Sequence, residues 1–310
     1  MSAVVAALIP VFLLIAAGVL ARRFLVTEED HWVGIERLVY FLLFPALLID
    51  TLAQADLSKV PVATVGGALL IAVLLMGALC LALRPLFIRW LRIDGPAYTS
   101  LFQGATRWQT FAALAVAGNL YGELGLALAS VAAIAMIPVL NVMSIWVLAH
   151  FAAPSRPAWR DVALTIARNP LIWSCVVGIV INALHVPYPK PVHALADALG
   201  RASLALGLLL VGAGLKIRGL IRPAPATFVA GVLKLAVMPA MAIGIGLLLG
   251  AHGAGLAVVA CCASVPTASS AYVLARQMGG NTVLMAEILT VETILAMVTM
   301  PIAIDFASSR

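Results

Sequence analysis

Long apolar segments alternate with short polar ones along the whole chain. The apolar segments cover about residues 4–22, 33–53, 60–83, 98–119, 122–151, 162–184, 194–215, 224–249, 255–277 and 281–306. Most are near the roughly 20 residues that a helix needs to cross a bilayer. They are unbroken runs of Ala, Leu, Val, Ile and Gly, without the alternation that is typical of membrane strands. The pattern therefore predicts an all-α polytopic membrane protein with ten transmembrane helices.

Composition excludes several classes of protein. Of the 310 residues, 64% are hydrophobic and 10% are charged, whereas about a quarter of the residues in a soluble domain are charged. The positive charges are spread between the apolar runs, which argues against nucleic acid as a partner. No Walker, GxSxG or HExxH motif is present, so ATP hydrolysis and metalloprotease chemistry have no support. We expect no enzyme activity, no cofactor and no metal.

The basic residues between the runs indicate the orientation of the helices. Loops after odd-numbered runs carry twelve of them and the other side carries three. The twelve are Arg22, Arg23, Arg84, Arg89, Arg92, Arg156, Arg160, Arg168, Lys216, Arg218, Arg222 and Arg276, and the three are Lys59, Lys190 and Arg310. Basic loops stay in the cytoplasm, so we predict both termini on the extracytoplasmic side of a cell inner membrane.

A proline-rich and arginine-rich stretch divides the chain near its midpoint. We expect a first five-helix repeat at 1–151, a cytoplasmic linker at 152–161 and a second five-helix repeat at 162–310. Pro10 and Gly18 in the first half are echoed by Pro170 and Gly178 in the second, with the same spacing. An odd number of spans per half turns the second repeat upside down in the membrane, as in many secondary transporters.

Polar interruptions in the fourth and ninth runs predict two broken helices. The fourth contains GATRWQT at 104–110, and the ninth contains CCASVPTASS at 261–270. Proline removes a backbone hydrogen bond, so a break near Val265 is expected, although a kinked but continuous helix is the alternative. If two half-helices begin at the same depth in the membrane, their first turns present free N–H groups and a partial positive charge there. Such a site favours an anion. The candidate substrate-binding residues are Arg107, Trp108, Gln109, Thr110, Val265, Pro266, Thr267, Ser269 and Ser270.

Four further charged residues lie within apolar runs. Lys234 is deep in the eighth run, Glu287 and Glu292 are in the tenth, and Asp50 is near the outer end of the second, where it can face water. Intramembrane charges are functional candidates by default. They are candidates for coupling to H⁺ or Na⁺ or for charge support, and Arg107 could instead form a permanent ion pair with one of the carboxylates.

The chain resembles the auxin efflux carrier family of transporters, which includes bacterial malonate and other carboxylate permeases and is distantly similar to bile acid/sodium symporters. The resemblance extends through IPVFLLIAAGVLARR, GATRWQTFAALAVAGNLYG, IPVLNV, NPLIWSCVVGI, LLLVGAGLK and SVPTASSAYVLARQMGGN. It implies two inverted five-helix repeats whose broken helices 4 and 9 cross, with carboxylates bound at the half-helix ends. It also implies that Asn141 faces the site, although a buried Asn can equally join two helices.

One position departs from the family pattern. Gln109 stands where the family usually has Asn, and its amide reaches one methylene further. The identity of the substrate is therefore not carried over.

We predict a secondary transporter, a permease or efflux carrier of small organic anions such as carboxylates, that works by alternating access. In this hypothesis, helices 4 and 9 move relative to a scaffold of helices 1, 2, 6 and 7, and family analogy adds a possible homodimer. One alternative is a sodium-coupled symporter of the bile-acid type, which needs clusters of oxygen ligands. Another is an intramembrane enzyme, which has less support because the polar residues at mid-span include no His.

Overall fold

The computed structural model describes residues 3–54, 62–152, 160, 164, 170–187, 189–215 and 223–310. Within these ranges all regular secondary structure is helical. The predicted linker at 152–161 lies largely outside the described residues, so the division into two repeats stays a prediction.

The helices follow one another in chain order with short connections. They are α1 Ala3–Phe24, α2 Glu29–Leu38, π1 Val39–Leu43, α3 Phe44–Gln54, α4 Val62–Ala82, α5 Arg84–Leu91, α6 Gly95–Thr106, α7 Thr110–Phe151, α8 Pro170–Ala183, α9 Lys190–Ala213, α10 Pro225–Val232, π2 Leu233–Val237, α11 Met238–Leu248, α12 Gly253–Ser264, α13 Ser270–Met278 and α14 Thr282–Ser308. The segments π1 and π2 are single π-helical turns inside longer helices.

Several helices are long and apolar enough to cross a membrane. In the described part of the chain there are seven: Val4–Phe24, Glu29–Gln54, Ala63–Ala82, Gly95–Phe151, Lys190–Ala213, Pro225–Leu248 and Thr282–Ser308. Pro170–Ala183 and Gly253–Ser264 are shorter apolar helices. The prediction of an all-helical, multi-pass membrane protein is therefore confirmed. The count of ten spans and the inverted repeats stay predictions.

Helix α7 consists of two limbs that meet at a glycine. Gly122 has φ +57°, a backbone conformation that glycine adopts most easily. A Cβ on Gly125 would lie 1.9 Å from the carbonyl oxygen of Ala117, yet eight residues of straight helix span about 12 Å. The chain therefore turns back on itself at Gly122, between the predicted fourth and fifth runs.

Small residues allow the helices on one side of the molecule to approach closely. A Cβ on Gly18 of α1 would lie 2.1 Å from the Leu209 carbonyl oxygen of α9, and one on Gly212 would lie 1.9 Å from that of Ile15. Such contacts between glycine and backbone are typical of membrane helix pairs. Helices α1, α3, α8 and α9 pack together in this way, while α4, α6, α7, α11, α12 and α14 form the rest of the bundle.

Candidate functional site

The chain leaves helical geometry at both predicted break positions. Between α6 and α7, Arg107 is extended with φ −68° and ψ 156°. Between α12 and α13, Val265 is extended with φ −64° and ψ 149°. Proline at 266 and the polar stretch at 107–109 account for the two interruptions, because neither continues an apolar helix.

The two breaks meet inside the bundle. The backbone N–H of Gln109 donates to the carbonyl of Pro266 at 3.2 Å. The Gln109 side-chain amide donates to the Ser269 hydroxyl, also at 3.2 Å. The Thr267 hydroxyl donates to the backbone carbonyl of Gln103, again at 3.2 Å. Direct hydrogen bonds therefore join the first break to the second.

Arg107 lies at this junction and its hydrogen-bond partners are neutral. Its side chain is 8% exposed. The guanidinium donates to Asn141 Oδ1 at 3.1 Å, to Ser270 Oγ at 3.3 Å and to Gln103 Oε1 at 3.4 Å. Among the described residues, no carboxylate forms an ion pair with it. Arg107 is therefore a nearly buried cation without a carboxylate partner in the part of the chain that the structure describes.

Exposure differs across the junction. Ser270 is exposed, and Thr110, Asn141 and Ser269 are half-buried. The remaining predicted residues are buried, namely Arg107, Trp108, Gln109, Val265, Pro266 and Thr267. Arg107 is therefore least covered by protein on the side of Ser270 and Asn141.

The structure places Glu292 and Lys234 directly behind the junction. Both side chains are fully buried. Glu292 Oε2 accepts the backbone N–H of Thr267 at 2.9 Å. The other carboxylate oxygen of Glu292, the Lys234 ammonium and the side-chain amide nitrogen of Gln103 have no hydrogen-bond partner among the described residues. Lys234 lies on π2, which packs against α6, α12 and α14.

The other two predicted charges have different surroundings. Asp50 Oδ1 is 2.8 Å from His193 Nδ1 and accepts from Gln54 at 3.0 Å, which ties α3 to α9. Glu287 Oε1 accepts from the Thr227 hydroxyl at 2.6 Å and from the Ala224 N–H, so it caps the first turn of α10. Neither residue bonds to the two breaks among the contacts of the described residues.

Sequence reasoning missed one residue at this site. Gln103 lies one turn before Arg107 and contacts both Arg107 and Thr267. The spacing of four residues on one helix was a signal that could have found it.

The junction offers hydrogen-bond donors to a ligand. The Arg107 guanidinium only donates, and the amide and hydroxyl groups around it can donate as well as accept. Within the described residues, no group of three or more His, Cys, Asp or Glu side chains is placed to hold a metal ion.

Comparison with known families agrees with this description. Residues 156–304 match the model of a family described as membrane transport protein, the auxin efflux carrier family. The match covers the second half of the chain, including the break at Pro266. No curated protein matches the chain. The family match confirms the resemblance that the sequence motifs indicated.

Proposed function

We propose that this protein, whose residues 156–304 match a family of membrane transport proteins, is a secondary transporter of small organic anions, with carboxylates as the substrate class. The substrate would bind where the two helix breaks meet, against Arg107 and the beginnings of α7 and α13. The chemistry is binding and translocation, without a covalent step.

The surroundings of Arg107 carry this proposal. A buried cation is strongly unfavourable unless it is paired or hydrated. The three acceptors of Arg107 are neutral, at 3.1 to 3.4 Å, so they satisfy three of its five N–H groups without neutralising its charge. A carboxylate that arrives from the side of the exposed Ser270 would supply that negative charge.

The beginnings of two helices add to the preference for an anion. Helix α7 begins at Thr110 and α13 at Ser270, each next to the junction. The first turn of a helix carries a partial positive charge, although at α13 the N–H groups of Ala271 and Tyr272 already donate to the carbonyls of Ala268 and Ser269. Trp108 Nε1 has no partner within the described residues and is a further donor close to the site.

The packing of the helices supports two inverted repeats. The predicted first run packs on the seventh and the second on the sixth, as α1 with α9 and α3 with α8. The fourth run also packs on the tenth, as α6 with α14. Exchanging the two halves converts the contact of the first run with the seventh into that of the sixth with the second, as expected for two inverted repeats.

Alternating access fits this arrangement. In our proposal, the bundle that holds the junction moves relative to the scaffold of α1, α3, α8 and α9. The charge asymmetry of the loops supports a location in an inner membrane with both termini outside. A homodimer stays a prediction from family analogy.

A binding screen tests the proposal. The purified protein is heated with pyruvate or malonate, and in parallel with pyruvamide or malonamide, which replace carboxylate by amide. A ligand that binds only the native state stabilises it, by about 2.7 kcal/mol at a hundred times its Kd. We expect carboxylates to raise the melting temperature and the amides to leave it unchanged.

The same screen is repeated with and without sodium. Stabilisation that requires sodium would favour the sodium-coupled symporter. Equal effects of acids and amides, or no effect of either, would contradict an anion site. Counterflow of the stabilising anion into proteoliposomes then separates transport from binding.

A further inference from the structure

Two buried charged side chains lie behind the helix junction and lack a direct hydrogen bond to each other. Lys234 and Glu292 are each 0% exposed, and π2, which carries Lys234, packs against α14, which carries Glu292. Lys234 Nζ and Glu292 Oε1 have no hydrogen-bond partner within the described ranges. A buried polar atom without a partner is unfavourable. A change in the protonation of Glu292 or Lys234 therefore changes the free energy of burying the two side chains.

The atoms around the pair favour a proton over a metal cation. The third unpartnered atom, Gln103 Nε2, is a donor on α6. A Cβ on Gly104 would lie 3.5 Å from Glu292 Oε1, so this oxygen is directed toward α6. The set therefore contains two donors and one acceptor. Sodium needs several oxygen ligands and would be repelled by the lysine, whereas a proton needs only the free carboxylate oxygen.

The same carboxylate is joined to the proposed anion site through one backbone group. Glu292 Oε2 accepts the N–H of Thr267 at 2.9 Å, and Thr267 lies in the break before α13. While Glu292 is ionised, its carboxylate stabilises the partial positive charge of this N–H. An external carboxylate at the junction therefore competes with Glu292 for the positive potential of the break.

We propose that Glu292 and Lys234 form a proton site that is linked to anion binding at the junction. A proton from water binds to Glu292 Oε1, and the neutral acid then holds the Thr267 N–H more weakly. Lys234 keeps its proton, so the pair gains one positive charge when the anion arrives. By linkage, anion binding also promotes protonation. The inference rests on the proposed function and specifies how the same site is regulated.

Among the described residues, few other titratable groups lie on the elements that surround Glu292. Lys234 is on π2 and Cys262 is on α12, and both elements pack against α14. Helix α6 contributes the neutral Gln103 and Gly104, and the break contributes Thr267. Glu287 is on the same helix as Glu292 but caps α10. Glu287 is therefore a matched control with the same chemistry and different contacts.

Infrared spectroscopy of the reconstituted full-length protein tests the proton site without any substrate. Spectra are recorded from about pH 6.5 to about pH 9, where small carboxylates are ionised. We expect the wild-type protein to show a carboxylic acid band that titrates. The band should be lost in Glu292→Gln and retained in Glu287→Gln. A band that is absent from the wild type, or unchanged in Glu292→Gln, would overturn the proposal.

Titration with pyruvate and malonate over the same pH range tests the linkage. If one proton is taken up for each anion, wild-type affinity should increase by up to about tenfold for each unit by which pH falls. Glu292→Gln should bind with an affinity independent of pH, and Glu287→Gln should follow the wild type. Lys234→Gln should move the transition to higher pH, because Glu292 loses a neighbour that favours its ionised form. That variant also keeps the test available if Glu292→Gln does not fold.

The outcomes separate this inference from the proposed function. If anions bind but wild type and Glu292→Gln show the same pH dependence, the pair is structural and only the inference fails. If neither anion binds the wild type although the band titrates, the proposed function fails and the linkage fails with it.

Discussion

Replacing Arg107 with methionine should separate binding from stability. The variant keeps an apolar stem and removes the guanidinium at the junction of the two breaks. A charge-assisted hydrogen bond contributes about 1.5 to 3 kcal/mol, and losing one of them weakens affinity by about ten- to 150-fold. We expect at least this loss in the affinity for pyruvate or malonate.

The structure predicts a small effect of the same substitution on folding. Arg107 gives up three hydrogen bonds to neutral acceptors at 3.1, 3.3 and 3.4 Å. Asn141 is half-buried and Ser270 exposed, so their oxygens are not enclosed by protein, whereas the buried Gln103 oxygen loses its donor at a cost of about 1 to 3 kcal/mol. Removal of a buried cation also relieves a desolvation cost of several kcal/mol. We therefore expect the melting temperature without ligand to stay the same or to rise. If Arg107 were one half of a buried ion pair, its loss would instead cost about 3 to 5 kcal/mol.

Arg84→Met is the matched control. The Arg84 guanidinium lies over the rings of Phe151 and Tyr98, at 4.1 and 5.6 Å from their centroids. Its loss should lower the melting temperature, since a cation–π contact contributes about 0.5 to 2 kcal/mol, and should leave anion affinity unchanged. Melting curves and ligand titrations of both variants provide the measurement. Wild-type affinity in folded Arg107→Met protein would refute the role of Arg107.

Three further substitutions test other contacts. Gly18→Ala should lower the unfolding free energy by about 1 to 3 kcal/mol, because its Cβ would overlap the backbone of α9; Gly244→Ala, where no atom lies within 4 Å, should be neutral, and equal melting temperatures would contradict this packing. Thr267→Val should lower stability by about 1 kcal/mol, because the hydroxyl joins the second break to α6; an unchanged melting curve would show that this bond contributes nothing. Gln109→Leu should weaken anion affinity by about two- to tenfold, because its amide positions the second break; unchanged affinity in a titration would remove Gln109 from the site.

The sequence contains the positions of the breaks but not the contacts between them. Proline at 266 and the polar residues at 107–109 interrupt apolar runs, so both breaks could be predicted from local chemistry. The sequence does not show which carboxylate lies behind the junction, because Glu287 and Glu292 are five residues apart and point to different faces of α14. Glu292 accepts the Thr267 N–H, whereas Glu287 caps α10.

The contacts of Arg107 could not be predicted from the sequence either. An intramembrane arginine indicates either an anion site or an ion pair, and only the folded chain shows which groups it meets. Its contacts with Asn141 and Ser270 join residues 34 and 163 positions away.

An experimental structure with the anion that most stabilises the protein tests the central claim most directly. We predict density for a carboxylate at the junction, with an oxygen within about 3.2 Å of an Arg107 guanidinium nitrogen and next to the beginnings of α7 and α13. An anion bound elsewhere in the transporter, with Arg107 still bonded only to Asn141, Ser270 and Gln103, would contradict the account.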